Sequence, residues 1–380
     1  MVYLDEIFER LNDEIRTPMS LEDFYLLTSK LTDAVHCSHT GVRLPASYLK
    51  LVSNYGKSFP WRLYFADERA YYVSGHHPDN SQIHEGAEII SINERTIDEI
   101  IDQLFSFIPS EGENKSTKYN KINKGFDELF YFIDESDEFI VKFKSGYSVK
   151  IESEQFSDKG RLEGIDELDG REPVEFNYDE DLSLGKLKIS SFAIHDMEVY
   201  MARLDSIFQY LEINNSQNLI IDLRDNSGGH PILAAQLLSY LTNQEFTYFK
   251  RNEEITEFEP LYNTMQPNPK NFKGNVYVFV NGGSLSTTGH LISLLKHYSH
   301  AVFIGEEPGS TNSCNDFSKQ MTLPKSGIVL NVPRTTFETL VPEEEIEEEF
   351  PMDHKVTVKV ENLIQGTDSY MEVLKQISQN

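Results

Sequence analysis

Cysteine is scarce in this chain of 380 residues, which contains only Cys37 and Cys314, far apart in the sequence. This arrangement shows neither a disulfide framework nor the paired spacing of a zinc site. One disulfide and two thiols are both compatible with the sequence, because pairing depends on geometry. The sequence therefore argues against the small disulfide-stapled and zinc-finger classes of protein.

Basic residues are also few, since 34 Lys and Arg stand against 62 Asp and Glu, for a formal net charge of −28. A nucleic-acid binder needs a basic face, so we expect no nucleic-acid partner. The same charge disfavours docking on anionic lipid. No apolar run is long enough for a transmembrane span, and the first residues lack the basic and apolar regions of a secretion signal. We expect either a cytosolic protein or a chain cut to its mature form.

The chain does contain ample core-forming residues, with 39% hydrophobic residues, 24 Phe and 19 Tyr. This composition predicts a globular protein of two or three domains. Between Leu4 and Val35 apolar residues recur at helical spacing, Pro18 interrupts them, and Ser20 is a suitable helix cap. We therefore predict two helices in this N-terminal segment.

Short strands follow from Trp61, and a helix is predicted over 97–107. The segment Gly86–Asn93 resembles half of a PDZ domain, although Glu94 replaces the expected glycine. This resemblance implies that residues 86–93 form a sheet edge to which an extended peptide can add as a further strand. Ile89 and Ile92 are expected on opposite faces of this strand. The polar tract over 110–124 is interpreted as a surface loop, and the charged tract over 153–173 as a linker.

From Gly185 onward, strands and helices alternate in a βαβ pattern, for which right-handed crossovers are expected. Two of its strands, 218–223 and 275–280, end abruptly in turns rich in Asn, Gly and Ser, and each precedes a predicted helix. Such turns can place a hydroxyl nucleophile at one helix start and backbone N–H groups at the other. Acyl-transfer chemistry needs both parts.

Four motifs carry a family resemblance: Asp222-Leu-Arg-Asp-Asn-Ser-Gly-Gly229, Asn281-Gly-Gly-Ser-Leu-Ser-Thr-Thr288, Ile304-Gly-Glu-Glu307 and Phe350-Pro-Met-Asp-His354. They resemble the tail-specific, or C-terminal processing, proteases of serine peptidase family S41. The resemblance implies a crotonase-like core of the S41 type within an α+β and α/β multidomain protein. It implies Ser286 as the nucleophile, with Ser284 as its near competitor. The oxyanion donors would be Thr287 N–H and an N–H of Gly228 or Gly229.

Two positions depart from the processing-protease pattern. Thr311 occupies the place of the lysine general base, and Gly289 replaces the glutamate that follows the nucleophile. A subset of the family resembling tricorn proteases uses a Ser-His pair from the preceding domain, which Ser38-His39 matches. Histidine has an ordinary pKa of about 6.5, so it is mostly neutral near pH 7 and suits the role of base.

Other candidates stay open at this point. His290, one helical turn after Ser286, is the fallback base. In the tricorn-like subset a glutamate near the C-terminal block supports a second serine. The acidic run 343–349 supplies several candidates, including Glu345 and Glu347, without a means of choosing among them.

We divide the chain into a helical segment over 1–55, a PDZ-like domain with linker over 56–173 and a catalytic core over 174–380. The expected function is that of a serine endopeptidase with a histidine base. A catalytically inactive, peptide-binding protein of the same fold is the alternative. A protein or peptide substrate is expected, with no cofactor and no metal, and the oligomeric state stays undetermined. The resemblance also implies export to the periplasm or cell surface, with a cytoplasmic location as the other possibility.

Overall fold

The computed structural model describes residues 2–15, 18–76, 83–156, 172–252, 255–347 and 349–378. Contacts divide the chain into two compact units. The first comprises Met1–Glu167, Phe317–Arg334 and Val358–Asp368, and the second comprises Leu168–Asp316, Thr335–Thr357 and Ser369–Asn380. The segments predicted as a helical N-terminus and a PDZ-like domain thus both fall in the first unit. The predicted linker lies largely on 157–171, outside the described residues.

The helices, in chain order, are α1 (Val2–Glu14), α2 (Leu21–Asp33), α3 (Ala46–Tyr55), α4 (Ile97–Phe105), α5 (Lys115–Tyr131), α6 (Met197–Ile213), α7 (Pro231–Leu241), α8 (Thr287–Tyr298), α9 (Val360–Gln365) and α10 (Ser369–Ile377). The strands are β1 (Gly41–Arg43), β2 (Lys57–Ser58), β3 (Arg62–Ala66), β4 (Arg69–Ser74), β5 (Glu88–Ile92), β6 (Arg95–Thr96), β7 (Glu138–Phe143), β8 (Ser148–Glu152), β9 (Glu154–Gln155), β10 (Val174–Asp179), β11 (Leu184–Ile189), β12 (Asn218–Asp222), β13 (Asn275–Val280), β14 (Val302–Gly305), β15 (Ser313–Asp316), β16 (Lys319–Thr322), β17 (Val329–Val332), β18 (Thr335–Glu338) and β19 (His354–Lys355).

The first unit is built on an antiparallel sheet of order β3-β4-β5-β7-β8, with β6 paired to β5. Its core packs Phe59, Trp61 and Phe126 with residues of α4. A second sheet of order β1-β17-β16 contains the hairpin of β16 and β17, and it pairs β17 with β1, the strand that follows Ser38-His39. Helix α2 begins as predicted, because the Ser20 hydroxyl caps it through the Asp23 N–H at 3.0 Å.

The predicted surface loop over 110–124 is wrong, because most of it belongs to helix α5. Asn114 caps this helix by accepting from the Thr117 N–H at 2.8 Å. Of the apolar residues that bury the helix, Ile122 lies inside the polar tract, whereas Phe126 and Phe130 lie beyond it. A polar first turn with a strong cap therefore looks like a loop when only its composition is considered.

The proposed peptide edge at 86–93 is also wrong. Strand β5 pairs with β4 on one side and β7 on the other, so it has no open edge for an added strand. Ile89 and Ile92 do not face opposite ways, since both are buried in the same core. A register shift between Ile89 and Ser91 breaks the alternation and leaves Ile90 exposed. An irregularity of this kind reverses the facing of every later residue in a strand.

The second unit contains a sheet of order β10-β11-β12-β13-β14-β19. Strands β11, β12, β13, β14 and β19 run parallel to one another, and β10 is antiparallel to β11. Helices α6, α7 and α8 connect the parallel strands, which confirms the predicted βαβ layout. The carboxyl ends of β12 and β13 meet at one edge, so the two motif-bearing turns are neighbours. Among the described residues, no helix is long and apolar enough to cross a membrane.

Helix α8 packs closely against the backbone at Ser310. A Cβ atom at Gly289 would lie 2.4 Å from the Ser310 hydroxyl oxygen and 2.5 Å from its carbonyl oxygen. We expect Gly289→Ala to lower the free energy of unfolding by about 1–3 kcal/mol, because overpacking forces the backbone to shift. Urea unfolding monitored by circular dichroism measures this change.

Gly125→Ala is the control, since its added methyl group meets only the Glu128 carboxylate at 3.8 Å. Equal effects of the two substitutions would contradict the tight packing of α8 on Ser310.

Candidate active site

The turn after β12 is held by an ion pair. Asp222 is 1% exposed and accepts two hydrogen bonds from the Arg224 guanidinium, at 2.8 and 2.6 Å. That guanidinium also lies over the Tyr370 ring, 4.5 Å from its centroid. Both groups of the pair are thus engaged, and their role is to fix the direction in which the chain leaves the strand.

Asn226 connects three segments of the site. Its amide Nδ2 donates to the Ile189 carbonyl at 2.9 Å, and its Oδ1 accepts from the Gly228 N–H at 3.0 Å. Its backbone carbonyl accepts from the Leu285 N–H at 3.0 Å. The side chain is fully buried, so these bonds have no competition from water. The end of β11, the Gly228-Gly229 turn and the turn before α8 are therefore held together by one residue.

The second turn follows β13 and is also closed by side chains. Asn281 Oδ1 accepts from the Asp225 and Gly283 N–H groups at 2.9 and 3.0 Å, which links the two turns. The Ser284 hydroxyl donates to the Leu223 carbonyl at 2.9 Å and is fully buried. Because this hydroxyl has a structural partner, Ser284 is the weaker candidate for the nucleophile.

Ser286 has a strained backbone at the start of α8. Its φ and ψ are 55° and −125°, a conformation that residues with a Cβ atom rarely adopt. Its side chain makes no capping bond to the helix, and its Oγ lies 3.8 Å from the Cys314 Sγ. Strain of this kind persists only where the surroundings enforce it, and it clusters at functional sites. A serine on a strained strand-to-helix turn is the arrangement of a nucleophile elbow.

Two backbone N–H groups are available beside Ser286. The Thr287 hydroxyl donates to the Gly229 carbonyl at 2.6 Å, which brings the helix start and the glycine turn together. Within the described residues, neither the Thr287 N–H nor the Gly229 N–H has an acceptor. The Gly228 N–H, in contrast, is used by Asn226. Thr287 and Gly229 are thus the better pair of candidate oxyanion donors, and the dipole of α8 favours negative charge there.

Glycine is required at position 228 for the turn to approach Ser286. Gly228 has a φ of 99°, and an added Cβ atom would lie 2.8 Å from Ser286 Cβ and 2.9 Å from the Leu285 carbonyl oxygen. Any other residue at this position would push the turn away from Ser286.

Ser38 and His39 form a second cluster with Glu111, which the sequence reasoning missed. The Ser38 hydroxyl donates to Glu111 Oε1 at 2.5 Å and lies 3.2 Å from His39 Nδ1. Glu111 Oε1 also accepts from the Ser38 N–H at 3.0 Å and is 3.8 Å from His39 Nδ1. The carboxylate, the hydroxyl and the imidazole are therefore connected in the order that orients a histidine base.

Burial alone would raise the pKa of Glu111, but hydrogen bonds from His39 and Ser38 outweigh it, so the pKa lies below its ordinary value. Glu111 is thus held as a carboxylate. Its loop is fixed to the His39 loop, because the Gly112 N–H donates to the His36 carbonyl at 3.1 Å. Ser38, His39 and Glu111 belong to the first unit, and Ser286 belongs to the second.

The fallback base His290 has a packing contact, and His230, which follows the glycine turn, has a capping role. His290 is 2% exposed, and its ring lies edge-on to Phe249, with centroids 5.2 Å apart. His230 caps α7 by accepting from the Ile232 N–H at 3.3 Å, and burial lowers its pKa. Neither contact makes these histidines partners of Ser286.

Glu345 and Glu347, the glutamates proposed from the acidic run, lie beside α8. Glu345 Oε2 is 2.8 Å from His297 Nδ1, and Glu347 lines a cleft with Lys296 and Thr311. Thr311 therefore sits in this cleft, at the position where the resemblance places a lysine. Cys37 and Cys314 are both thiols. The two cysteines therefore form no disulfide, a point on which the sequence allowed either outcome.

Comparisons with known proteins bear on the second unit most directly. Residues 183–354 match the family model described as "Peptidase family S41". A structure of mature CPAF is similar over 98% of this chain and 90% of its own, with a TM-score of 0.67 and 13% identity. CPAF complexed with lactacystin gives the same TM-score and identity, over 98% and 91%. The photosystem II D1 C-terminal processing protease has a TM-score of 0.44 and 14% identity, over 94% and 86%. Among curated proteins, none matches this chain.

The likeness to CPAF, at 13% identity, shows that the two chains share a fold. The family match identifies residues 183–354 as a region of the peptidase family S41 type. This confirms the resemblance that the sequence motifs predict.

Glu306, in the third motif, provides a pH test of the folded site. Burial raises its pKa from 4.5 to about 7, and Asp225 adds to the effect while Arg224 opposes it. Between pH 4.5 and about 7 the folded chain keeps a proton that the unfolded chain releases, so stability falls as pH rises through this range. Glu306→Gln removes this loss. The free energy of unfolding of Glu306→Gln, measured in urea, should therefore rise relative to that of the wild type as the pH increases. The difference between the two proteins should change by up to about 3 kcal/mol between low and high pH.

Exposed Glu361 supplies the control, since Glu361→Gln should follow the wild-type pH dependence. A constant difference between Glu306→Gln and the wild type across this pH range would contradict the raised pKa.

Proposed function

We propose that the chain is a serine endopeptidase that cleaves protein or peptide substrates through an acyl-enzyme, with Ser286 as nucleophile and His39 as base. The observation that carries the proposal is the strained Ser286 at the start of α8, beside the Thr287 and Gly229 N–H groups. A nucleophile and two oxyanion donors on fixed elements are the parts that acyl transfer requires.

The reaction would proceed in two halves. His39 takes the proton of the Ser286 hydroxyl while its oxygen attacks the peptide carbonyl, and Thr287 N–H and Gly229 N–H bind the resulting oxyanion. The carbon–nitrogen bond then breaks, and the imidazolium gives its proton to the leaving amine. Water attacks the acyl-enzyme with His39 again as base, which releases the acid product and restores Ser286.

Ser38 and Glu111 are positioning residues in this proposal. A carboxylate connected to Nδ1 holds the ring and stabilises the imidazolium that forms during attack. The reaction requires the His39 imidazole of the first unit within hydrogen-bond reach of Ser286 in the second. We retain the PDZ-like nature of 56–173 and the export of the chain as parts of the proposal, and the resemblance of the motifs supports both.

The first test concerns the nucleophile. Ser286→Ala should abolish labelling by a fluorophosphonate and reduce hydrolysis of an unfolded protein at least about 10³-fold. The fold should survive, because a change at a helix start costs only about 0.5–2 kcal/mol.

Ser284→Ala is the matched control and should retain the label. Labelling lost in Ser284→Ala and kept in Ser286→Ala would move the nucleophile to Ser284. Folded wild type that takes no label and hydrolyses nothing would favour the inactive peptide-binding alternative, to which Thr311 and Gly289 point.

The second test concerns the base. His39→Ala should lower kcat/KM about 10²- to 10⁴-fold, the usual contribution of a general base. With a histidine base the rate rises over the range in which imidazoles ordinarily lose a proton, about pH 6 to 7. Glu111→Gln should also lower the rate, since an amide cannot stabilise the imidazolium as a carboxylate does.

A rate that still climbs beyond about pH 9 would indicate a lysine base. Full activity of His39→Ala would exclude His39 from the reaction.

A further inference from the structure

Three metal-ligating side chains converge in the first unit. The Cys37 thiol, the His39 imidazole and the Glu111 carboxylate each offer one atom, and these atoms all lie within 4.8 Å of one another. Cys37 is 3% exposed, whereas the side chains of His39 and Glu111 are each 21% exposed. The cluster is therefore largely buried, and only His39 and Glu111 retain some exposure to solvent.

The two loops that supply these groups are held together independently of the cluster. The Gly112 N–H donates to the His36 carbonyl at 3.1 Å, and the His36 Nδ1 atom lies 3.1 Å from the Gly112 carbonyl oxygen. The His39 carbonyl also accepts from the Asn331 amide at 2.6 Å. The ligand set is thus preorganised by tertiary contacts, which reduces the cost of bringing it together.

We propose that Cys37, His39 and Glu111 form a binding site for a divalent transition-metal cation of the Zn²⁺ type. Thiolate, imidazole and carboxylate are the ligands that zinc takes in proteins, at about 2.0–2.3 Å. The thiolate disfavours Mg²⁺ and Ca²⁺, which take oxygen ligands. Tetrahedral binding needs ligand atoms about 3.3–3.8 Å apart, so rotations of the partly exposed His39 and Glu111 side chains close the site.

Binding would exchange protons for the cation. The Cys37 thiol gives its proton to solvent and binds as a thiolate, His39 binds as neutral imidazole, and Glu111 binds as the carboxylate it already is. Water takes the fourth position, as in zinc sites with three protein ligands. The two anionic ligands neutralise the cation, and the net charge of −28 on the chain raises the local cation concentration.

Occupancy would inhibit the peptidase, a consequence that rests on the proposed function. A cation bound to His39 occupies the one unprotonated nitrogen of the neutral imidazole. The ring can then no longer receive the Ser286 proton. The sequence shows no zinc spacing because Glu111 lies far along the chain from Cys37-Ser-His39 and enters the cluster only through the fold.

The cation site is tested with Co²⁺ as the probe. Intact protein titrated with Co²⁺ should develop the thiolate-to-cobalt charge-transfer absorption. Cys37→Ser should lose this band, and Glu111→Gln should weaken Co²⁺ binding at least about 10-fold. Cys314→Ser is the matched control and should keep the band. No band in the wild type, or a band that survives in Cys37→Ser, overturns the proposal.

Inhibition by Zn²⁺ is measured as the fraction of each variant's own zinc-free rate. Cys37→Ser should need at least about 10-fold more Zn²⁺ than the wild type for half inhibition. Equal sensitivity of the two proteins overturns the inhibitory role of this site. If the zinc-free wild type neither hydrolyses protein nor takes the fluorophosphonate, the proposed function fails, and the Co²⁺ titration still decides the cation site.

Discussion

The geometry of the active-site region depends on the hydrogen bonds of one buried amide, that of Asn226. Its side chain and its carbonyl join the end of β11, the glycine turn and the turn before α8. Buried polar groups are expensive to leave unpaired, so all three bonds must form together. This requirement holds Leu285 in place, and with it the strained Ser286 backbone. Ser286, the proposed nucleophile, is thus positioned by its neighbours, while its own side chain makes no capping bond to the helix.

The second unit could be predicted largely from the sequence, since its strands are short β-branched runs that end in Asn and Gly. Strand β13 has the predicted bounds, and β12 ends one residue before its predicted end. Parallel topology then brings the turns after β12 and β13 to one edge of the sheet. Gly228 and Ser286 become neighbours for that reason, so turn chemistry and sheet topology together predict this half of the site.

The first unit was harder to predict because its decisive features are tertiary. Helix α5 begins with a polar turn, and its buried face is recognisable only after the core is known. The register shift before Ser91 cannot be read from alternation, since a strand of five residues has too few positions to show it. Glu111 had no signal in the sequence, because its role depends on a loop contact through Gly112.

A general base and a metal ligand ask the same of a histidine, namely a neutral nitrogen held in a fixed direction by a carboxylate. The Ser38–His39–Glu111 cluster meets this shared demand, so its geometry alone does not distinguish the two uses. Cys37 does distinguish them, because a histidine base needs no buried thiol beside its carboxylate, whereas a zinc-type cation gains a strong ligand from it. A neutral imidazole has only one unprotonated nitrogen, so a cation bound there leaves no nitrogen to take a proton. In the proposed site, this cluster would couple hydrolysis to the level of the metal without a separate regulatory domain.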